Sequence, residues 1–209
     1  MIIRIVQAED AGQIAEIYRP YVEKTAVSFE YTAPSPEEMQ KRIEKTLKTH
    51  PFLAAEENGE ILGYAYTGRY KERKAYDWGA EISIYIKEEY HKKGIGRKLY
   101  AAIEEISKAQ NILNLYACIT ADSEEGTGYL SDSVRFHEHM GYKIIGRFEC
   151  SGNKFGKWHN TVFMEKMIGE HPADPPAVIP FSKLRQSEDI LNAQKPESVS
   201  RETFKEEKC

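Results

Sequence analysis

The chain has 209 residues, of which 41% are hydrophobic and 30% are charged, and its formal net charge is -4. That length suits one well-buried core and is short for two, which predicts one domain with an appendage. The acidic balance gives no overall positive field for a phosphate backbone or an anionic membrane, so neither nucleic acid nor a membrane is an expected partner.

The cysteine pattern bears on the compartment. Cys118, Cys150 and Cys209 are odd in number and contain no CxxC pair. That pattern favours free thiols in a reducing compartment over a disulfide framework or a zinc site. The sequence meets a charge as early as Arg4, and no apolar run reaches the length of a bilayer span. We therefore expect a cytoplasmic protein without a metal site.

The first 70 residues predict two helices and three strands. Residues 26–31 between the two helices are aromatic and irregular. Asn58-Gly59 is a strong short-range hairpin signal, so the strands on either side of it are expected to pair antiparallel. The predicted elements are strand 2–6, helix 10–18, a helix after Pro34-Ser35-Pro36, and strands 52–57 and 61–68.

A strand, a two-glycine loop and a helix follow. In residues 81–87, EISIYIK, polar and apolar residues alternate, which places three isoleucines on one face and Glu81 on the other. The helix begins after Gly94-Ile95-Gly96 and is expected to bury one face. That face carries Leu99, Ile103 and Ile106.

Three more strands and a short helix complete the predicted domain, which covers residues 1–168. The acidic insert DSEEGTG precedes the short helix, and Gly141 is its expected C-terminal cap. The strands are 114–120, 142–148 and 161–166, and the helix is 131–140.

The composition changes after Gly169. Five of the nine prolines lie beyond that point, and no glycine follows it. We expect residues 169–209 to form a Pro-rich, charged C-terminal tail that docks through Val178, Ile179 and Phe181 and is otherwise mobile.

The loop before the third helix has the features of an anion site. Gly94 and Gly96 let the backbone approach a ligand closely, and the free N–H groups at the start of the helix attract negative charge. Lys92, Lys93 and Arg97 add positive charge suited to a pyrophosphate. Neither GxxxxGK[ST] nor a complete GxGxxG is present. Taken alone, the loop also fits an ordinary strand-to-helix turn with a solvated basic face.

This segment resembles the cofactor loop of the GNAT superfamily of acetyltransferases, [QR]xxGx[GA]. Gly94 and Gly96 fit the pattern, whereas His91 replaces the usual Gln or Arg. The resemblance implies that acetyl-CoA is the cosubstrate, that the loop binds its phosphates, and that the preceding strand binds pantetheine. The implied cofactor contacts are Ile84, Tyr85, Ile86, Lys92, Lys93, Gly94, Ile95, Gly96, Arg97 and Ser133.

Four further stretches resemble the phosphinothricin and methionine sulfoximine acetyltransferase group of that superfamily. KERKAYDWGAEISIYI at 71–86 is similar to KxRxAYxWxxExxxYV, and SVRFHEHMGY at 133–142 is similar to SVRxHExxGF/Y. NKFGKWHNTVFMEK at 153–166 is similar to KFGxWxDxxxMQ, and TAVSFEY at 25–31 is the fourth stretch. The resemblance implies a small amino-acid-like acceptor and a homodimer.

Glu81 is the candidate general base. An amine arrives as ammonium and must lose a proton before it can attack a thioester. Glu81 lies on the polar face of the cofactor strand, and burial beside Tyr76 and Trp78 would raise the pKa of its carboxyl. The resemblance places the family's catalytic glutamate at this position. From the strand pattern alone, a solvated carboxylate is the preferred interpretation.

His137 is the second catalytic candidate. On the predicted short helix it shares an inward stripe with Val134 and Met140. That pattern also fits a core histidine whose ring nitrogens are satisfied. The resemblance implies that His137 replaces the superfamily tyrosine that protonates the departing thiolate, with a share in amine deprotonation. One departure is Leu130, where the family often has an asparagine that contacts coenzyme A.

The resemblance also implies an acceptor site that includes Glu81. Arg73 would bind an α-carboxylate through two parallel hydrogen bonds, although KERK by itself fits a solvated loop. The implied walls of the side-chain pocket are Phe29, Tyr31 and Tyr76. Three other residues are interpreted as packing residues: Phe155 and Trp158 in the core or pocket floor, and Cys118 in the core.

The sequence thus predicts an α/β (α+β) protein with the GNAT fold. Its mixed, mostly antiparallel sheet should have a V-shaped opening between strands 81–87 and 114–120, with helices on both faces. The predicted reaction is direct transfer of acetyl from acetyl-CoA to the amino group of phosphinothricin, methionine sulfoximine, methionine sulfone or a related amino acid. The alternatives are a protein or aminoglycoside N-acetyltransferase and a non-catalytic acyl-CoA sensor.

Overall fold

A computed structural model describes residues 1–121, 132–185 and 187–193. Leu130, Cys209 and the insert at 122–128 lie outside the described residues. The helices within them are α1 (Ala11–Lys24), α2 (Pro36–Leu47), α3 (Ile95–Ala109), α4 (Asp132–His139) and α5 (Ser187–Ala193). The strands are β1 (Ile2–Ile5), β2 (Phe52–Glu57), β3 (Glu60–Arg69), β4 (Gly79–Ile86), β5 (Asn114–Thr120), β6 (Lys143–Lys154) and β7 (Lys157–Met167).

The seven strands form one sheet in the order β1-β2-β3-β4-β5-β7-β6. Neighbouring strands are antiparallel except β4 and β5, which run parallel. β4 and β5 pair only at Gly79–Asn114, Ala80–Leu115 and Glu81–Tyr116, and then separate. The predicted mixed sheet and its V-shaped opening are therefore confirmed.

Helices cover both faces of the sheet, as predicted. On the front face, α1 and α2 pack on a core that includes Phe52 and Tyr64. On the back face, α3 buries Leu99, Ile103 and Ile106 completely against a second core. The strand alternation of β4 sends its isoleucines to the back and its polar side chains to the front.

Local signals explain where several elements begin and end. Ser35 caps α2, because its hydroxyl accepts the backbone N–H of Glu38 at 3.2 Å. The β2–β3 turn places Asn58 at φ 51° and Gly59 at φ 82°, the left-handed conformations that this hairpin turn requires. Gly141 ends α4 at φ 87°, which confirms its predicted capping position.

Three elements, α1, β6 and β7, extend well beyond their predicted lengths. α1 continues to Lys24, and the β6–β7 hairpin extends through Lys154 and Lys157. After β7 the chain packs back on the domain, with Phe181 and Leu184 in the back-face core. The division of the chain at residue 168 stays a prediction. No helix in the described ranges is long and apolar enough to cross a membrane.

Candidate active site

The opening between β4 and β5 exposes backbone groups of β4. Lys87 donates its backbone N–H to Leu62 of β3 at 2.9 Å. Because ladder hydrogen bonds alternate along an antiparallel pair, Tyr85 also faces β3, whereas Ile84 and Ile86 face the opening. The predicted pantetheine contacts therefore differ: Ile84 and Ile86 present their amides to the opening, and Tyr85 does not.

Tyr21 of α1 covers the last of these backbone groups. Its hydroxyl donates to the carbonyl of Ile86 at 2.5 Å and lies 3.3 Å from the N–H of Ile86. Nε2 of His91 lies 2.9 Å from both the Tyr21 hydroxyl and the Ile86 carbonyl oxygen. His91, which departs from the usual loop pattern, is thus part of this hydrogen-bonded cover. The backbone N–H of Ile84 is the more accessible of the two.

The loop before α3 has a shape that fits a pyrophosphate. Lys92 and Gly94 take left-handed conformations at φ 59° and φ 78°, which directs successive backbone N–H groups to one side. No side chain among the described residues caps the start of α3, so its first N–H groups stay open to an anion. A Cβ added at Gly96 would lie 3.1 Å from the ring of Phe136. Glycine therefore permits a close contact between α3 and α4, and a larger residue would have to displace the Phe136 ring by a few tenths of an ångström.

The predicted basic residues of this loop are on the surface. Lys92 forms an exposed ion pair with Asp132 at 3.5 Å, and the Lys93 ammonium lies 4.7 Å from the centre of the Tyr90 ring. Arg97 is exposed on the first turn of α3, whereas Ile95 is buried in the back-face core. Lys92, Lys93 and Arg97 thus lie where they can neutralise a phosphate at the start of α3.

Glu81 lies on the front face at the point where β4 and β5 separate. It is half-buried and pairs with Gly68 on one side and Tyr116 on the other. Burial raises the pKa of its carboxyl above the ordinary value, and the nearby Lys71 partly opposes that shift. This direction is the one expected from the sequence, whereas the role of Glu81 as a base stays a prediction.

Aromatic residues around Glu81 include three that the sequence analysis did not select. Tyr66 lies opposite Ser83 in the β3–β4 ladder and forms a hydrogen bond with the Ser83 side chain. Burial raises the pKa of Tyr66, and the nearby Glu81 charge raises it further. Tyr116 stacks on Tyr70 with ring centroids 4.0 Å apart. The register of the β2–β3 hairpin could have placed Tyr66 on the front face, and the period-two alternation of β5 could have placed Tyr116 there.

His137 belongs to α4, faces α3 and is 3% exposed. Its Nδ1 donates to the carbonyl of Ser133 at 2.7 Å, and its Nε2 accepts the hydroxyl of Tyr100 at 2.8 Å. Burial lowers the pKa of His137 to about 4, so the ring is neutral at physiological pH. The structure does not bring His137 and Glu81 together, because they lie on opposite faces of the sheet. Proton donation by His137 stays a prediction.

The remaining predicted acceptor residues lie on two irregular segments, 70–78 and 25–31. Arg73 is exposed in the loop at 70–78, where its carbonyl accepts the backbone N–H of Tyr76 at 2.9 Å. The Tyr76 ring contacts Tyr70 edge to face at 5.9 Å. Tyr31 is 74% exposed, and its hydroxyl donates to the carbonyl of Asn153 at 2.6 Å.

Phe29 is half-buried against the β6–β7 hairpin. Its ring occupies the space beside Gly152, where a Cβ would lie only 2.2 Å away, and it lies 6.2 Å from the His159 ring. Gly152 is therefore a packing requirement for Phe29. The 25–31 segment that carries Phe29 and Tyr31 is irregular, as predicted.

Lys154 fixes that segment and was not selected from the sequence. The side chain is 1% exposed, and its ammonium donates to three backbone carbonyls. The acceptors are Val22 at 2.6 Å, Thr25 at 2.9 Å and Ser28 at 2.5 Å. A buried lysine needs such compensation, so Lys154 fixes the backbone of the irregular segment that carries Phe29 and Tyr31.

Three packing assignments were wrong. Cys118 is exposed on the front of β5, because α1 and α2 cover β2 to β4 and leave this part of β5 open. Local desolvation and the Glu81 charge raise the pKa of the Cys118 thiol to about 11, so it is poorly suited to be a nucleophile. Phe155 and Trp158 are 61% and 60% exposed, since they lie at the tip of the β6–β7 hairpin beyond the core.

Several known proteins are similar to this chain in sequence and in fold. A model of the acetyltransferase (GNAT) domain matches residues 3–163. The phosphinothricin N-acetyltransferase of Streptomyces viridochromogenes is 31% identical over 87% of this chain and 95% of its own length. The L-methionine sulfoximine/L-methionine sulfone acetyltransferase of Salmonella typhimurium is 28% identical, over 83% of this chain and 98% of its own.

A solved structure with the same fold contains the cosubstrate. The phosphinothricin acetyltransferase of Sinorhizobium meliloti in complex with AcCoA has a TM-score of 0.76 and 31% sequence identity, covering 88% of this chain and 97% of that one. The splayed sheet, the two-glycine loop and the matched domain lead to one assignment. This chain belongs to the GNAT family of acetyltransferases.

Proposed function

We propose that this protein binds acetyl-CoA in the opening between β4 and β5 and transfers its acetyl group to the amino group of a small amino acid or analogue. The observation that carries the proposal is the placement of Glu81. A carboxyl with a raised pKa stands where the strands separate, and the open start of α3 lies at the far end of β4. Acetyl-CoA supplies the activated thioester.

The proposed cofactor contacts follow the geometry of the opening. The backbone of Ile84 is the main pantetheine contact, and Ile86 joins it when the Tyr21 hydroxyl moves aside. Residues 92–97 bind the phosphates through the α3 amides and the three basic side chains. Tyr85 supports the strand from the front, and Ser133 on the first turn of α4 borders the site.

The proposed mechanism assigns the chemical steps to residues on the two faces. Glu81, through a water molecule, removes a proton from the acceptor ammonium. The backbone N–H of Ile84 polarises the thioester carbonyl. His137 remains the proposed source of the proton for the coenzyme A sulfur. Its Nε2 accepts the Tyr100 hydroxyl in the structure, so Nε2 must first be freed and protonated, and the proton that the attacking amine loses as the amide forms can supply it.

The proposed acceptor is an α-amino acid or an amino-acid analogue. Its carboxylate would bind Arg73, which is exposed and free to turn towards the opening. Its side chain would lie against Phe29, Tyr31 and Tyr76. Phosphinothricin, methionine sulfoximine and methionine sulfone are the first candidates, because proteins named for them are similar over most of this chain.

A thiol-release assay with acetyl-CoA and a panel of amines tests the proposal. The panel contains the three candidates, ordinary L-amino acids, an aminoglycoside and a lysine-rich peptide. Preferential turnover of a small amino acid or analogue is the expected result. Preference for the peptide or the aminoglycoside would replace the acceptor class, and acetyl-CoA binding without any turnover would favour the sensor alternative.

We also propose that the protein is a homodimer that assembles through β6. This strand forms the edge of the sheet, and Ile144, Ile145 and Phe148 on it are 47%, 47% and 54% exposed. An apolar edge of this kind is typical of an interface. Sedimentation should find a dimer, and Phe148→Glu should shift the equilibrium towards monomer. A monomeric wild-type protein would refute the assembly.

The proposed compartment is the cytoplasm, and no nucleic-acid partner is proposed. Cys118 and Cys150 are free thiols, as a reducing compartment would keep them, and the net charge of -4 disfavours a polyanion. Thiol labelling of the protein in fractionated cells tests the compartment, since recovery outside the cytoplasm would contradict it.

A further inference from the structure

The chain after β7 crosses the end of the sheet at which β4 begins. We name residues 170–185 the C-terminal strap. A Cβ at Gly169 would lie 2.8 Å from Leu113, so the strap starts in close contact with the turn before β5. It ends with Phe181 and Leu184 in the back-face core. The strap is therefore anchored to the domain at both of its ends.

The middle of the strap is bonded to the turn after α3 and to the turn before β2. The fully buried Gln110 donates its amide to the carbonyls of Ile179 at 2.8 Å and Thr49 at 2.9 Å. The backbone of Ile179 donates to Gln110 at 2.9 Å, and that of Phe181 donates to Thr49 at 3.1 Å. Ser182 adds a hydrogen bond to the Lys48 carbonyl at 2.9 Å.

Two other hydrogen bonds connect the strap to the acceptor side. Nε1 of Trp78 donates to the carbonyl of Pro176 at 2.7 Å, and Trp78 ends the loop that carries Arg73 and Tyr76. Nε2 of His171 donates to the side-chain oxygen of Asn114 at 2.5 Å. Asn114 pairs with the first residue of β4, only two positions before Glu81.

The strap also lines cavities on both sides of the loop at 70–78. A cavity of about 760 Å³ lies between α2 and β3, and Val178 and Pro180 line it together with Tyr66 and Gly68. A smaller cavity of about 190 Å³ lies between the loop and the strap. Its lining includes Tyr70, Tyr76, Tyr116, His171, Pro172 and Pro175.

We propose that the C-terminal strap is part of the acceptor site: it holds the 70–78 loop in its binding position and lines the cavities on both sides of that loop, one of which reaches Tyr116, the β5 neighbour of Glu81. Trp78 and His171 are positioning residues in this scheme. The inference rests on the proposed function, because it assigns the strap to the acceptor side of that same site. It predicts that loosening the strap weakens acceptor binding and leaves cofactor binding intact.

The separation of the two ends of β4 explains that selectivity. β4 spans seven steps from Gly79 to Ile86, which at about 3.3 Å each gives a length of about 23 Å. The hydrogen bonds of Trp78 and His171 lie at the first residue of β4. Residues 92–97, which are proposed to bind the phosphates, follow the last residue of β4. A local change at Trp78 therefore has little means of altering the start of α3.

Steady-state kinetics of two strap variants test the proposal. Trp78→Phe removes the indole N–H, and His171→Ala removes the donor to Asn114. Each is expected to raise the KM of the acceptor roughly 3- to 10-fold, the loss typical of one hydrogen bond, while kcat and the KM of acetyl-CoA stay within about twofold. His171→Gln, which keeps a donor at the position of Nε2, should restore the acceptor KM.

Ser35→Ala is the matched control, because it removes a hydrogen bond at the start of α2, outside the strap, and should leave all three constants unchanged. Equal increases in both KM values, or an unchanged acceptor KM in Trp78→Phe, would overturn the proposal. Hydrogen exchange of residues 70–78 gives a readout that needs no turnover. It should be faster in Trp78→Phe than in wild type, and equal exchange would also overturn the proposal. Absence of wild-type turnover refutes only the proposed function.

Discussion

Replacement of Glu81 by glutamine separates general-base catalysis from substrate binding. Gln keeps the size of the side chain and its hydrogen-bonding capacity but cannot accept the ammonium proton. A positioned general base typically contributes about 10²- to 10⁴-fold. We therefore expect Glu81→Gln to lower kcat at least 100-fold, while calorimetry gives an unchanged affinity for acetyl-CoA, because Glu81 stands at the opposite end of β4 from residues 92–97.

The pH profile adds a second requirement. Glu81 works as a base only when deprotonated, so activity must fall as pH falls through its pKa. Burial raises that pKa above the ordinary 4.5, so the acidic limb of kcat/KM should lie above that value. Lys71→Met should move the limb to higher pH, since Lys71 lowers the pKa. Discontinuous chromatography of the acetylated product avoids the pH dependence of thiol reagents. An unchanged kcat in Glu81→Gln, or the same acidic limb in that variant, would refute the assignment.

Three other residues give independent tests. His137→Ala should lower the free energy of unfolding by about 2–4 kcal/mol in urea titrations, because it leaves the buried Tyr100 hydroxyl without its partner; a large loss of kcat at unchanged stability would instead support proton donation. Lys154→Met should lower the free energy of unfolding by about 2–4 kcal/mol and raise the acceptor KM, because three carbonyls lose their donor. An unchanged acceptor KM would show that Lys154 does not affect acceptor binding. Iodoacetamide should label Cys118 slowly at neutral pH and faster as the pH rises towards the thiol pKa of about 11. Glu81→Gln should speed labelling, because it removes a charge that raises this pKa. Fast labelling of wild-type Cys118 at neutral pH would contradict the raised pKa.

The strands and helices near strong local signals were predictable from the sequence. Asn58-Gly59 fixed the β2–β3 hairpin, and the alternation in β4 correctly separated Glu81 from its isoleucines. The β6–β7 hairpin was underestimated because its alternation is interrupted. The ladder shifts between Phe148 and Gly152, and Cys150 takes a positive φ of 48°. Such irregularities hide the strand period from a sequence pattern.

The errors at the site arise from contacts between distant parts of the chain. Alternation placed Cys118 on a strand, but its exposure depends on which strands α1 and α2 cover, and no local pattern encodes that. The inward position of His137 was predictable. Its hydrogen bond to Tyr100, 37 positions away, was not. The clamp of Lys154 on the 25–31 segment is likewise a long-range contact that spacing alone cannot give.

The three paired positions between β4 and β5 set limits on natural length variation. Extra residues between Asn58 and Gly59 would only enlarge an exposed turn. One extra residue between Gly79 and Glu81 would turn every later side chain of β4 over, sending the carboxylate under α3 and an isoleucine to the front. Homologous proteins should therefore tolerate insertions in the Asn58-Gly59 turn and none between Gly79 and Glu81.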